Sequence, residues 1–168
     1  MSDSKKRIDH LKIKRYRRSL ECLKKIINNE LPENYEELKK AANRSGNWRA
    51  RLKAVEELGQ YNTSQVIDIL KTRLQNDPVF TIQEEAYRSL LSFGEEVELP
   101  KRSKFEMIKG TSKILLRVKK SLPKDHTYEE FASKLKRMRI DVYDAYEGDK
   151  GAEFNTWLEN EWKNLETK

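Results

Sequence analysis

A chain of 168 residues with 35 Lys and Arg against 28 Asp and Glu carries a formal charge of +7, and 38% of its residues are charged. That length is enough for one domain or two small ones around a real core, since about 150 residues bury roughly 70% of their unfolded surface on folding. Six Gly and four Pro are too few for a sandwich or barrel, no apolar run nears the ~18 residues of a membrane span, and residues 1–6 lack an apolar signal region, so a helical, cytoplasmic protein is expected.

The first element is a helix on which Ile13, Tyr16, Leu20, Leu23 and Ile27 form one stripe at 3-4-3-4 spacing. Its outward arc is basic, carrying Lys14, Arg15, Arg17, Arg18, Lys24 and Lys25 with only Glu21 between them. Such a row with a tyrosine beside it suits phosphates, and it equally suits the polar outer face of a terminal helix. Cys22 lies on the same helix at a packing position. As the only cysteine it forms no internal disulfide, which fits a reducing compartment.

Leu38 and Ala42 mark a second helix. Asn47 then caps a third with Trp48, Leu52, Val55 and Leu58 at 4-3-3 spacing, and Gly59 ends it. Val66, Ile69, Leu70 and Leu74 mark a fourth. Asp77 as N-cap and Pro78 at the first helical position open a fifth, which carries Ile82, Ala86, Tyr87 and Leu90 and stops at Gly94. On the fifth helix Glu84 is placed to pair with Arg88 at i,i+4.

An offset of 32 residues maps Leu20 onto Leu52, Cys22 onto Ala54 and Ala86, Ile26 onto Leu58 and Leu90, Leu38 onto Leu70, and Ala42 onto Leu74. The unit is therefore helix, turn, helix, turn. The pattern Arg51-x-x-Ala54-x-x-x-Leu58-Gly59, then Val66-x-x-Ile69-Leu70-x-x-x-Leu74-x-x-Asp77-Pro78, then Ile82-Gln83-x-x-Ala86-x-x-x-Leu90 resembles a HEAT-like repeat. It is most similar to the short repeats of phycobilisome-lyase-type proteins and covers roughly residues 16–94, with Gln83 standing where that family usually has Arg. The resemblance implies a short α-solenoid of antiparallel helix pairs, a surface that binds proteins or sometimes nucleic acid, and no catalytic residues of its own.

Beyond Pro100 the composition shifts, and Lys101 to Lys104 reads as a linker. Ile114, Leu115, Val118 and Leu122 form one helical face closed by Pro123. Thr127 to Glu130 has capping-box spacing ahead of a stripe formed by Phe131, Leu135, Met138 and Val142. Residues 148–151 read as a turn, and Phe154, Trp157, Leu158, Trp162 and Leu165 lie on a last helix. Residues 1–100 are thus expected to form the repeats and residues 101–168 a helical cap or subdomain. A helix-turn-helix reader is the alternative for the latter.

Charge runs in blocks: residues 1–30 sum to +6, 31–60 to +1, 61–100 to −4, 101–140 to +9 and 141–168 to −5. Clustered cations point to an anionic partner, and Lys14, Arg15, Arg17, Arg18, Lys113, Arg117, Lys120, Lys134 and Arg137 are the candidates to meet it. Catalytic chemistry finds little footing. One Cys with His10 and His126 supplies no tetrahedral metal site, and there is no glycine-rich phosphate loop. The adjacent acids Glu56 and Glu57, Glu84 and Glu85, and Glu129 and Glu130 point about 100° apart on their helices rather than converging. A family of alkylpurine DNA glycosylases also uses HEAT-like repeats with groove tryptophans, but Trp48 falls on an apolar stripe. The expectation is a non-catalytic binding or scaffold module without cofactor, metal, membrane or small-molecule substrate. It is expected to dock a protein of acidic character on its helical-repeat surface, with a nucleic-acid-binding module using the two basic helical blocks as the alternative.

Overall fold

In the computed structural model the described residues are 27–102 and 107–165, so Lys14, Arg15, Arg17 and Arg18 of the expected basic first helix lie outside them. The described residues form eight α-helices: α1 (Tyr35–Ala42), α2 (Trp48–Leu58), α3 (Ser64–Asn76), α4 (Phe80–Ser92), α5 (Thr111–Lys120), α6 (Tyr128–Met138), α7 (Ile140–Lys150) and α8 (Phe154–Asn164), with a short 3-10 turn, Gly151–Glu153, before the last. The fold is all-α and built from helix pairs in the expected 32-residue register.

The register is set by burial. Leu38 and Leu70, Ala42 and Leu74, Ala54 and Ala86, and Leu58 and Leu90 are each buried in the core formed by α1 to α4. A fully buried leucine contributes roughly 1.5–3 kcal/mol, so a slip of one position on α2 or α4 would forfeit several such contributions. The pairs differ where their neighbours differ: Val55 is fully buried, whereas its counterpart Tyr87 is partly buried at the edge of the same core.

Local chemistry places the helix ends. The Asn47 side chain accepts from the Ala50 amide at 3.0 Å and starts α2 as expected. At the end of α4, Gly94 takes φ +86°, the left-handed conformation that closes a helix without Cβ strain. The Gly94 amide then donates to Leu91 O at 3.1 Å and the Glu95 amide to Leu90 O at 3.0 Å, so the orphan carbonyls are satisfied. Thr127 and Glu130 form the expected capping box, with Thr127 Oγ1 accepting from the Glu130 amide at 3.3 Å and Glu130 Oε2 from the Thr127 amide at 2.9 Å.

Four expectations are corrected. Helix α4 begins at Phe80 rather than Pro78, because the buried Asp77 carboxylate accepts from the Val79 amide and from Arg51 instead of capping a helix at Pro78. The stripe from Phe131 to Val142 is not one helix. The chain turns at Arg139 (φ −142°, ψ 65°), leaving Met138 45% exposed, while Val142 belongs to the next helix. Residues 148–150 are helical, and only Gly151 turns, at φ +54°. Arg88 is paired with Glu85 at 3.5 Å, an i,i+3 contact, rather than with Glu84.

A second core gathers Leu115, Val118, Phe131, Leu135, Val142, Tyr146, Phe154 and Leu158 from α5 to α8. Between the helices of the first core and α5 the described residues, 93–102 and 107–110, form no helix. The two cores meet through α7. At about 100° per residue, Val142 and Tyr146 share the arc that enters the second core, while Asp144 and Gly148 occupy the far side and face the repeats. A Cβ on Gly148 would lie 2.7 Å from Val79 Cγ2 and 2.9 Å from the Trp48 ring, so glycine permits this close approach.

A basic hollow on α5 and a buried charge node at the α2–α7 joint

Of the five candidate cations among the described residues, three share one face of α5. Lys113, Arg117 and Lys120, at 4-3 spacing, are exposed and together with Leu116 and Ser121 line a shallow hollow. Their alignment follows from the opposite stripe, since burying Leu115 and Val118 in the second core turns these positions outward. None of the three is held in an ion pair with a described residue, so their charge faces solvent. Lys119, by contrast, is committed to structure: its Nζ donates to Trp162 O at 2.5 Å and Leu165 O at 2.8 Å, closing the last turn of α8.

Lys134 and Arg137 lie on α6, Lys134 half-buried and Arg137 exposed. The C-terminal ends of α5 and α6 come together where Ser121 Oγ lies 3.9 Å from Met138 Sδ, beside Lys120 and Arg137. Just beyond, Arg139 makes a double contact with Asp141, Nε to Oδ1 at 2.9 Å and Nη2 to Oδ2 at 2.7 Å. That hydrogen bonding holds the Asp141 carboxyl below its ordinary range, against a smaller opposing effect of burial, and raises the Arg139 guanidinium. Burial raises the phenol of Tyr128, helped next by the neighbouring Tyr143 and then Glu159 and Glu129, and raises that of Tyr143, helped by Glu147 against a smaller opposing effect of Arg49.

The most elaborate polar arrangement lies elsewhere, on residues that the sequence had not marked as functional. The Arg51 guanidinium is buried, with its side chain 3% exposed. Nε donates to Asp77 Oδ2 at 3.0 Å, while Nη1 donates to Asp144 Oδ2 and to the Arg44 carbonyl, each at 2.8 Å. Arg73, in the last turn of α3, approaches Asp77 at 3.5 Å. Asp144 also accepts from the Trp48 amide at 2.6 Å, supplying a carboxylate to the N-terminus of α2, where the helix dipole favours negative charge. One turn along α7, Glu147 Oε2 accepts from Trp48 Nε1 at 3.0 Å and from Arg49 Nη1 at 2.9 Å. Trp48 packs partly buried against the first core beside Leu52, as its stripe predicts, and also serves as a junction residue, while Arg51 is fully buried. The sequence signal for this was Arg51 itself, a charged residue three positions before the buried Ala54 and in register with the core.

A few features limit the chemistry available. Among the described residues no group of three His, Cys, Asp or Glu side chains could hold a metal ion, and no helix is long and apolar enough to cross a membrane. The two carboxylates at the Arg51 node, Asp77 and Asp144, are paired with its guanidinium and buried.

Helix pairs repeating every 32 residues, with the same positions buried in each, define a helical-repeat protein of the α-solenoid class. A family model of HEAT repeats matches residues 9–101. That is more than half of the chain, and the protein belongs to the HEAT-repeat family, whose members are commonly protein-interaction scaffolds and generally not enzymes. The match is to HEAT repeats as a whole and does not single out the phycobilisome-lyase type. No curated protein and no solved structure matches the chain.

Proposed function

We propose that this protein is a non-catalytic docking module in which the HEAT-like repeats of residues 1–100 carry a C-terminal helical unit, residues 101–168. The basic hollow of α5 in that unit receives an acidic segment of a protein partner. The observation that carries this reading is the set of three exposed, uncommitted cations, Lys113, Arg117 and Lys120, around the partly buried Leu116. An apolar side chain on Leu116 flanked by carboxylates gains from both burial and charge, whereas a sugar-phosphate backbone offers no matching apolar group. Lys134 and Arg137 extend the same charge along α6.

The test is fluorescence anisotropy of an acidic peptide probe of repeated Glu-Glu-Leu against the full chain, with a labelled DNA duplex and single strand measured in parallel. The expected result is peptide binding that K113E/R117E/K120E abolishes. Preferential binding of the nucleic acid would instead favour the alternative reading. Neutralising phosphates with these three cations gives a slope of log affinity against log salt of about −3.

A further inference from the structure

The repeats already hold one acidic helix, and its mode of attachment points to a second binding surface. Helix α7 presents Asp144 and Glu147, three residues apart and therefore on one side of the helix, to the first turn of α2. There they are met by the Trp48 amide, the Trp48 indole N–H, Arg49 and Arg51. Gly148, the next small residue, lets the helix lie directly on Val79 and Trp48.

Carboxylates on α7 meet N–H donors on the repeats, and the close apolar contact beside them is that of Gly148 with Val79 and Trp48. Were α7 to leave, Arg51 would keep Asp77 through Nε and Nη2 and the Arg44 carbonyl through Nη1, so the guanidinium would not be orphaned. Asp144 and Glu147 would exchange protein donors for water. The large buried apolar residues of the two sides belong to separate cores, and the described residues between them, 93–102 and 107–110, contain no helix.

We propose that the edge formed by Trp48, Arg49, Arg51 and Val79 is a receptor for an acidic helix and that α7 is its resident occupant, bound in cis through a releasable charge clasp. The partner that fits is a helix with two carboxylates three residues apart followed by glycine or another small residue, and it gains access when α7 swings away. The surface is distinct from the α5 hollow and does not rest on the reading of that hollow. While α7 is seated, the competent state is a minor one, and a partner's apparent affinity falls in proportion to its population.

The geometry supplies its own control. A Cβ built on Gly46 lies 3.9 Å from Ile140 Cβ, within the span a disulfide bridges, so G46C/I140C in a Cys22→Ser background locks α7 down on oxidation. The probe is a fluorescein-labelled, end-capped synthetic peptide of residues 140–150. Its anisotropy is measured against three full-length forms: Cys22→Ser, the oxidised lock, and Cys22→Ser with D144N/E147Q. The inference predicts no saturable binding to the lock. It also predicts at least about ten-fold tighter binding to the D144N/E147Q form than to Cys22→Ser, with helix content by circular dichroism unchanged and K113E/R117E/K120E without effect. Equal binding to all three forms would place the peptide elsewhere. Absence of binding to D144N/E147Q at intact helix content would refute the receptor, and loss of helix content in that variant would make α7 part of one indivisible core. Each of these overturns the proposal.

Discussion

Replacing Arg51 by Met keeps the aliphatic stem and removes the guanidinium, which isolates the energetic role of the charge node. In the native protein that group neutralises two carboxylates with almost no access to water, the Asp77 side chain 0% exposed and the Asp144 side chain 5%. Removing one partner of a buried ion pair costs about 3–5 kcal/mol, because the remaining charge is left without compensation. Here the loss is moderated. Asp77 retains Arg73 and the Val79 amide, and Asp144 retains the Trp48 amide. A cost near the lower bound, about 3 kcal/mol, is therefore expected, and for a chain of this size it corresponds to a fall in Tm of roughly 6–12 °C. Urea unfolding followed by circular dichroism and by tryptophan fluorescence measures it. R51M/D144N removes the carboxylate that Arg51 alone neutralises, keeps an acceptor for the Trp48 amide and leaves Asp77 with Arg73, so it should recover part of the loss. An R51M variant within 1 kcal/mol of wild type, or an R51M/D144N variant less stable than R51M, would refute the account of the node.

Thr127→Ala removes one half of the capping box on α6 and should cost about 1 kcal/mol, read as a shifted urea midpoint with unchanged slope. Gly94→Ala forces a Cβ into the left-handed region and should cost about 1–2 kcal/mol by the same measurement, whereas a neutral result would mean the turn relaxes to another conformation. The Asp141 carboxyl is held below its ordinary range by Arg139, so its contribution to stability is fully present above the unfolded value, near pH 4, and is lost as the pH falls through the depressed folded value. Comparing wild type with Asp141→Asn across pH 2–6 should therefore show a stability difference that shrinks toward acid. A difference that grows toward acid would reverse the sign of the argument.

The repeats were legible because their core is written twice. Leu38 with Leu70 and Leu58 with Leu90 recur at a fixed offset, and burial selects for apolar side chains at both copies. The α5 face was legible for the complementary reason, as cations on one side of an apolar stripe. What escaped were positions whose role depends on distant chain. Arg51 stands in the core register, but nothing near it in the chain shows that Asp77 and Asp144 neutralise it, and Asp144 lies 96 residues from the Trp48 amide it caps. The break at Arg139 was hidden because Phe131, Leu135, Met138 and Val142 keep helical spacing straight through it, with neither proline nor glycine to interrupt. Gly148 read as a turn, whereas the structure uses its missing Cβ for close packing inside a helix. Helix α7 buries residues on two sides, in one core and against the other, so no single amphipathic stripe marks it.

The central claim is that the α5 hollow docks an acidic protein segment. A 15N-resolved titration of the full chain with the Glu-Glu-Leu peptide tests it most directly. The account predicts saturable shifts concentrated at Lys113, Leu116, Arg117, Lys120 and Ser121, weakening as salt is raised. Shifts centred on the repeat helices with α5 silent, or no shifts at low salt, would contradict it.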